Sequence, residues 1–96
     1  MTEKLKYTRG GENVFLDLGF DKAEAENLKL RADLMVGVIK FYRKSGLTQA
    51  EAAKFLGLTQ PRLNALLKGR IRQFSLDALV NVASRAGVKL FVKKAA

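Results

Sequence analysis

Between Asp21 and Ser45 apolar residues recur at helical spacing. Leu28, Ala32, Met35, Ile39 and Tyr42 lie along one line at about 100° per residue, and Leu30, Leu34, Val38 and Phe41 form a second line about 120° away. Lys22, Glu26, Lys29, Asp33, Lys40 and Lys44 fill the remaining sector. Asp21 offers an N-cap acceptor, Glu24 completes an Asp-x-x-Glu capping box, and Gly46 supplies a left-handed stop. The pattern predicts one long helix with two apolar faces, which needs two partners. The domain's own core can cover the first face. For the second, so small a domain has little left to offer, which favours another chain over more of the same core.

Shorter elements follow. Thr48 caps a second helix, Glu51 closes its Thr-x-x-Glu box, and Gly57 ends it. Thr59 caps a third, in which Pro61 sits in the first turn where backbone N–H groups have no helical partner, and Gly69 ends that one. Ser75 caps a fourth, with Phe74 placed to staple onto Leu79 and a buried stripe expected at Leu76, Leu79, Val80, Ala83 and Ala86. Ahead of the long helix, Asn13 to Phe20 reads as an extended or single-turn segment, and residues 1–12 as a flexible N-terminal tail. Val88-Lys89-Leu90-Phe91-Val92-Lys93 alternates apolar and basic residues, the period of a half-buried strand. The expected fold class is therefore an all-α bundle of four to five helices with a short C-terminal β-strand over 88–93, in one domain over 13–96 whose two-helix unit spans 48–68.

Composition narrows the function. Among 96 residues, Lys and Arg number 18 against 9 Asp and Glu, a net charge of +9. The excess is local: residues 43–72 carry seven bases (Arg43, Lys44, Lys54, Arg62, Lys68, Arg70, Arg72) and one acid, Glu51, whereas residues 1–33 carry six bases and seven acids. Bases can merely solubilise a surface, so the charge by itself does not choose between solvation and a polyanionic partner. Cys and His are absent, which excludes disulfides, Cys/His zinc sites, thiol nucleophiles and every imidazole acid–base device. Asp17, Asp21, Glu24 and Glu26 cluster in sequence, but capping and solvation account for them. No catalytic residue, metal ligand or cofactor is expected, and the chain reads as a non-enzyme. No apolar run approaches the roughly 18 residues of a membrane span, and Met1 to Lys6 lack a signal-peptide core, so a cytoplasmic protein with no membrane partner is expected.

The second and third helices decide between the two readings of the charge. Two short helices crossing steeply need a small residue at the crossing and a turn that accepts positive φ; Ala53 and Gly57 supply these at the fifth and ninth places of a unit starting at Gln49. Ala52, Leu56, Leu58, Leu63 and Leu66 point to a shared core. This is the pattern of a helix-turn-helix, set within the basic stretch.

At these residues the chain resembles the Cro and phage-repressor type of helix-turn-helix domain. Leu47 to Gln60, followed by Leu63, Leu66 and Gly69, carries the likeness, which extends over about residues 28–86. Within that superfamily the Asn13 to Phe20 lead, the Gln60-Pro61 step, Ala65 to Gly69 and the Phe74-Ser75-Leu76 start resemble antitoxins of the host-inhibition-of-growth type, whose partners are small ribonuclease toxins.

The resemblance implies roles position by position. Gln49 opens the second helix, where the family holds a phosphate, and Lys68, Arg70 and Arg72 follow the recognition helix toward further phosphates, although Arg70 and Arg72 can equally be solvated loop charges. Thr59, Gln60, Pro61 and Ala65 fall where base edges are read, with Arg62 and Asn64 assigned to the same open side. Gln60 suits bidentate reading of adenine, and the Pro61 ring and Ala65 methyl suit a thymine methyl. The chain departs from many relatives in carrying Ala65 and Leu67 in place of charged residues, which shifts weight from direct hydrogen bonding toward DNA shape. The expected function is a nucleoid-associated repressor that binds a double-stranded DNA operator as a homodimer, with Leu90, Phe91 and Val92 in the dimer interface, and that serves as the antitoxin of a ribonuclease toxin. Two alternatives stand beside it: a phage-type repressor with no partner but itself, and an interaction module that neutralises a basic partner without binding DNA.

Overall fold

The computed structural model describes residues 13–89. Among them the chain forms five α-helices, α1 (Val14–Asp17), α2 (Lys22–Ser45), α3 (Gln49–Leu56), α4 (Gln60–Leu67) and α5 (Leu76–Arg85), with a 3₁₀ turn at Ile71–Gln73 between α4 and α5. Each longer helix starts at the cap its sequence announces. Asp21 accepts from the Glu24 amide at 2.8 Å, Thr59 from the Arg62 amide at 3.2 Å, and Ser75 from the Ala78 amide at 3.1 Å. At α3 the box is complete: the Glu51 amide donates to Thr48 Oγ1 at 3.1 Å and the Thr48 amide to Glu51 Oε1 at 2.9 Å.

The core lies where α2 crosses the other helices. Leu34, Met35 and Val38 of α2 pack with Ala52, Ala53 and Leu56 of α3, Leu63 and Leu66 of α4, Phe74, and Leu79, Val82 and Ala83 of α5, all buried. Leu34 and Val38 belong to the second apolar line of α2, so the domain's own core covers the middle of the face that the sequence assigned to another chain. At the end of that line Phe41, half-buried, stacks on Phe55 with ring centroids 5.6 Å apart. In α5 the buried stripe takes Val82, while Val80 is 43% exposed, because α2 and α3 meet the helix from the Leu79–Ala83 side.

The N-terminal lead settles as the single-turn helix α1. Asn13 Oδ1 accepts from the Phe15 amide at 3.0 Å while its Nδ2 donates to the Ala25 carbonyl at 3.2 Å, pinning α1 to the first turn of α2. Val14 and Leu18 remain largely exposed.

The strand expected over Val88–Lys93 is not seen, and no strand occurs among the described residues. Val88 instead closes the end of α5. Gly87, at φ +79°, donates to the Ser84 carbonyl at 3.1 Å and the Val88 amide donates to the Ala83 carbonyl at 2.9 Å, the paired bonds of a Schellman turn. The Val88 side chain then packs on Gly37 so closely that a Cβ there would lie 2.9 Å from Val88 Cγ1, which accounts for the interior glycine of α2. A half-buried Val88 followed by an exposed Lys89 has the alternation of a half-buried strand without its backbone. Leu90, Phe91 and Val92, the expected dimer residues, lie outside the described residues, as do Lys93 and the tail over 1–12.

Candidate nucleic-acid interface

Helices α3 and α4 are joined by a turn that the sequence specifies atom by atom. Gly57 sits at φ +75°, its amide donates to the Lys54 carbonyl at 3.2 Å, and the Leu58 amide donates to Ala53 at 2.8 Å. Only glycine enters this backbone region without strain. Ala53, 3% exposed, is small enough to let the two helices cross there, and Leu63 and Leu66 are fully buried beneath α4.

Burial of Leu63 and Leu66 fixes the rotation of α4. At about 100° per residue Pro61, Asn64 and Lys68 fall opposite that pair, and all three are exposed. Gln49, Gln60, Pro61 and Asn64 line one hollow on this face; Pro61, Asn64, Ala65, Lys68, Arg70 and Gln73 line a second. The two share Pro61 and Asn64, so seven of the residues expected to meet DNA form one continuous surface. No carboxylate lines it, and Lys68 and Arg70 make it electropositive. Gln73 is an addition that sequence reading missed. Thr59 spends its hydroxyl on capping α4 and lines a neighbouring groove with Arg85 and Asn81.

One expected contact, Arg62, is placed elsewhere, and a second, Arg72, lies beside the face rather than in it. Arg62 does not share the open side with Asn64. Its guanidinium carbon lies 4.1 Å from the centre of the Phe74 ring, and Nη1 donates to the Gln73 carbonyl at 2.8 Å. An aromatic face and a carbonyl acceptor in reach of one planar cation hold it more firmly than solvent does. The helical wheel carries the same signal, since Arg62 falls on the flank beside Leu66. Arg72 is exposed but leans toward the N-terminal segment, with its guanidinium 5.6 Å from the Phe20 ring centre.

Among the described residues no group of three or more Asp or Glu could hold a metal ion, and no helix is long and apolar enough to cross a membrane. No curated protein matches the chain. A family model described as a helix-turn-helix domain matches residues 14–93, from α1 past the end of α5. With the α3–turn–α4 pair at the centre of that match, the chain belongs to the helix-turn-helix domain family, the domain type of DNA-binding transcription regulators.

Proposed function

We propose that the chain is a sequence-specific repressor that binds a double-stranded DNA operator as a homodimer, and that it is the antitoxin of a toxin–antitoxin pair. It works in the cytoplasm on the nucleoid, by binding rather than by catalysis. The observation that carries the DNA reading is the carboxylate-free face built by Gln49, Gln60, Pro61, Asn64, Ala65, Lys68 and Arg70. In this reading Gln60 pairs with an adenine edge, Pro61 and Ala65 touch a thymine methyl, and Lys68, Arg70, the start of α3 at Gln49 and, after swinging from Phe20, Arg72 meet phosphates. Asn64, between the two hollows, reaches either a base or the backbone.

One α4 reaches only a few base pairs, so two copies about 34 Å apart would read a palindrome with useful affinity. Exposed Val80 on α5 supports a self-contact through that helix. The antitoxin role rests on the resemblance of the Asn13–Phe20 lead, on the apolar residues Val14, Leu16 and Leu18 that α1 and its turn leave exposed, and on the acidic balance of residues 1–33, which suits a basic ribonuclease.

Selection of duplexes from a randomised library by the purified protein tests the DNA reading. Enrichment of a palindromic sequence is expected, and failure to enrich any sequence overturns it. Co-expression with the neighbouring reading frame tests the antitoxin role. The two products should co-purify and the growth defect of the neighbour expressed alone should vanish; independent elution with unrelieved toxicity rejects the pairing.

A further inference from the structure

We propose that Arg62 is a positioning residue for DNA recognition rather than a DNA contact, and that it works with Arg31 as a two-sided brace on the loop following α4. The affinity part of this inference rests on the DNA-binding reading above; the brace itself does not. The loop from Gly69 to Ser75 carries Arg70, Arg72 and Gln73, and so bears part of the candidate face. Its anchor is Phe74, 1% exposed.

Arg62 reaches Phe74 from α4, stacking on the ring at 4.1 Å while donating to the Gln73 carbonyl at 2.8 Å. Arg31 reaches it from α2, donating from Nη1 to the Phe74 carbonyl at 2.9 Å and to the Ile71 carbonyl at 3.4 Å. Asn27 sets the aim of Arg31, since its Oδ1 accepts from Arg31 Nε at 2.7 Å. Two guanidiniums thus occupy the carbonyls of Ile71, Gln73 and Phe74. Around the buried ring, α2, α4 and the loop become one body, so the loop cations keep a fixed offset from Gln60 and Asn64.

The chemistry requires arginine. A planar, delocalised cation can lie on a ring and donate in its own plane at once, whereas an ammonium on a flexible stem cannot do both. Arg62→Lys therefore keeps the charge and loses the brace, which separates positioning from a phosphate contact. Arg31→Lys loosens the same loop from α2, on the other side of Phe74.

Three measurements on the full chain test the brace, with thermal melting to confirm that each variant is folded. In NMR spectra of the free protein the Arg62 side-chain resonances should carry the ring-current shift of Phe74 and hold it when the library-selected duplex is added. Their movement on DNA addition would overturn the proposal. Arg62→Lys and Arg31→Lys should each weaken binding to that duplex by about tenfold, the scale of one lost charge-assisted contact. Wild-type affinity in Arg62→Lys would refute the positioning role, and loss in Arg62→Lys with none in Arg31→Lys would show that Arg62 acts on the DNA itself. The Gln73 and Phe74 amides, bonded to Arg70 and Ile71, should exchange faster in both variants while those of Leu63 and Leu66 stay protected; unchanged loop exchange would refute the brace. If the wild type selects no duplex, the DNA reading fails, and the free-protein spectra and exchange still decide the brace.

Discussion

Affinity for the selected duplex should fall steeply with salt. Lys68, Arg70 and Arg72 are the three exposed cations that follow the buried part of α4, so a dimer brings six to the phosphates. At about −0.9 per neutralised phosphate, the slope of log K against log salt is then roughly −5. Raising the salt from about 50 to 200 mM, a fourfold change, should weaken binding by about a thousandfold, roughly 4 kcal/mol. The structure also ranks the contributors. Lys68 and Arg70 line the same hollow as Pro61 and Asn64, so Lys68→Gln, removing one contact in each subunit, should bring the slope to about −3.5. Arg72, leaning on Phe20, must swing away to reach a phosphate, and Arg72→Gln should cost less. The assay is fluorescence anisotropy of the labelled duplex over a series of salt concentrations. A wild-type slope near zero, or one that Lys68→Gln leaves unaltered, would mean that this face does not meet DNA.

Three further outcomes are expected. Gln60→Ala should weaken binding to the selected duplex by about 1 to 3 kcal/mol and leave the melting temperature unchanged, because an exposed first-turn side chain reads bases without packing; equal affinity of mutant and wild type removes Gln60 from the reading face. Leu63→Ala, at a fully buried site shared by α2, α3 and α4, should cost about 2 to 5 kcal/mol of stability in denaturant titrations, and a loss below 1 kcal/mol would contradict the packing. Val80→Lys should yield a folded monomer in sedimentation with reduced affinity for the duplex; a dimer that persists shows that α5 is not the self-contact.

Local chemistry made much of this protein readable in the chain itself. Thr48 with Glu51, Thr59, Ser75 and Asp21 each cap a helix through bonds spanning three residues, and Gly57 ends α3 by a backbone conformation peculiar to glycine, so none of these needs a distant partner to act. The outward face of α4 follows from the same short range, because Leu63 and Leu66 had to be buried and Pro61, Asn64 and Lys68 then had to face out. Tertiary structure decided the rest. Which apolar line of α2 is covered depended on helices that begin far along the chain, and these bury Leu34 and Val38 within the domain. Val88 alternates with Lys89 as a strand would, yet a Schellman turn and the open space over Gly37 claim it. Arg62 carries the charge of a DNA contact, but Phe74 comes to it from a loop that Arg31, 43 residues before Phe74, holds in place. A side chain that can serve two partners is assigned by which one the fold brings within reach, and that distance is not written in the local sequence.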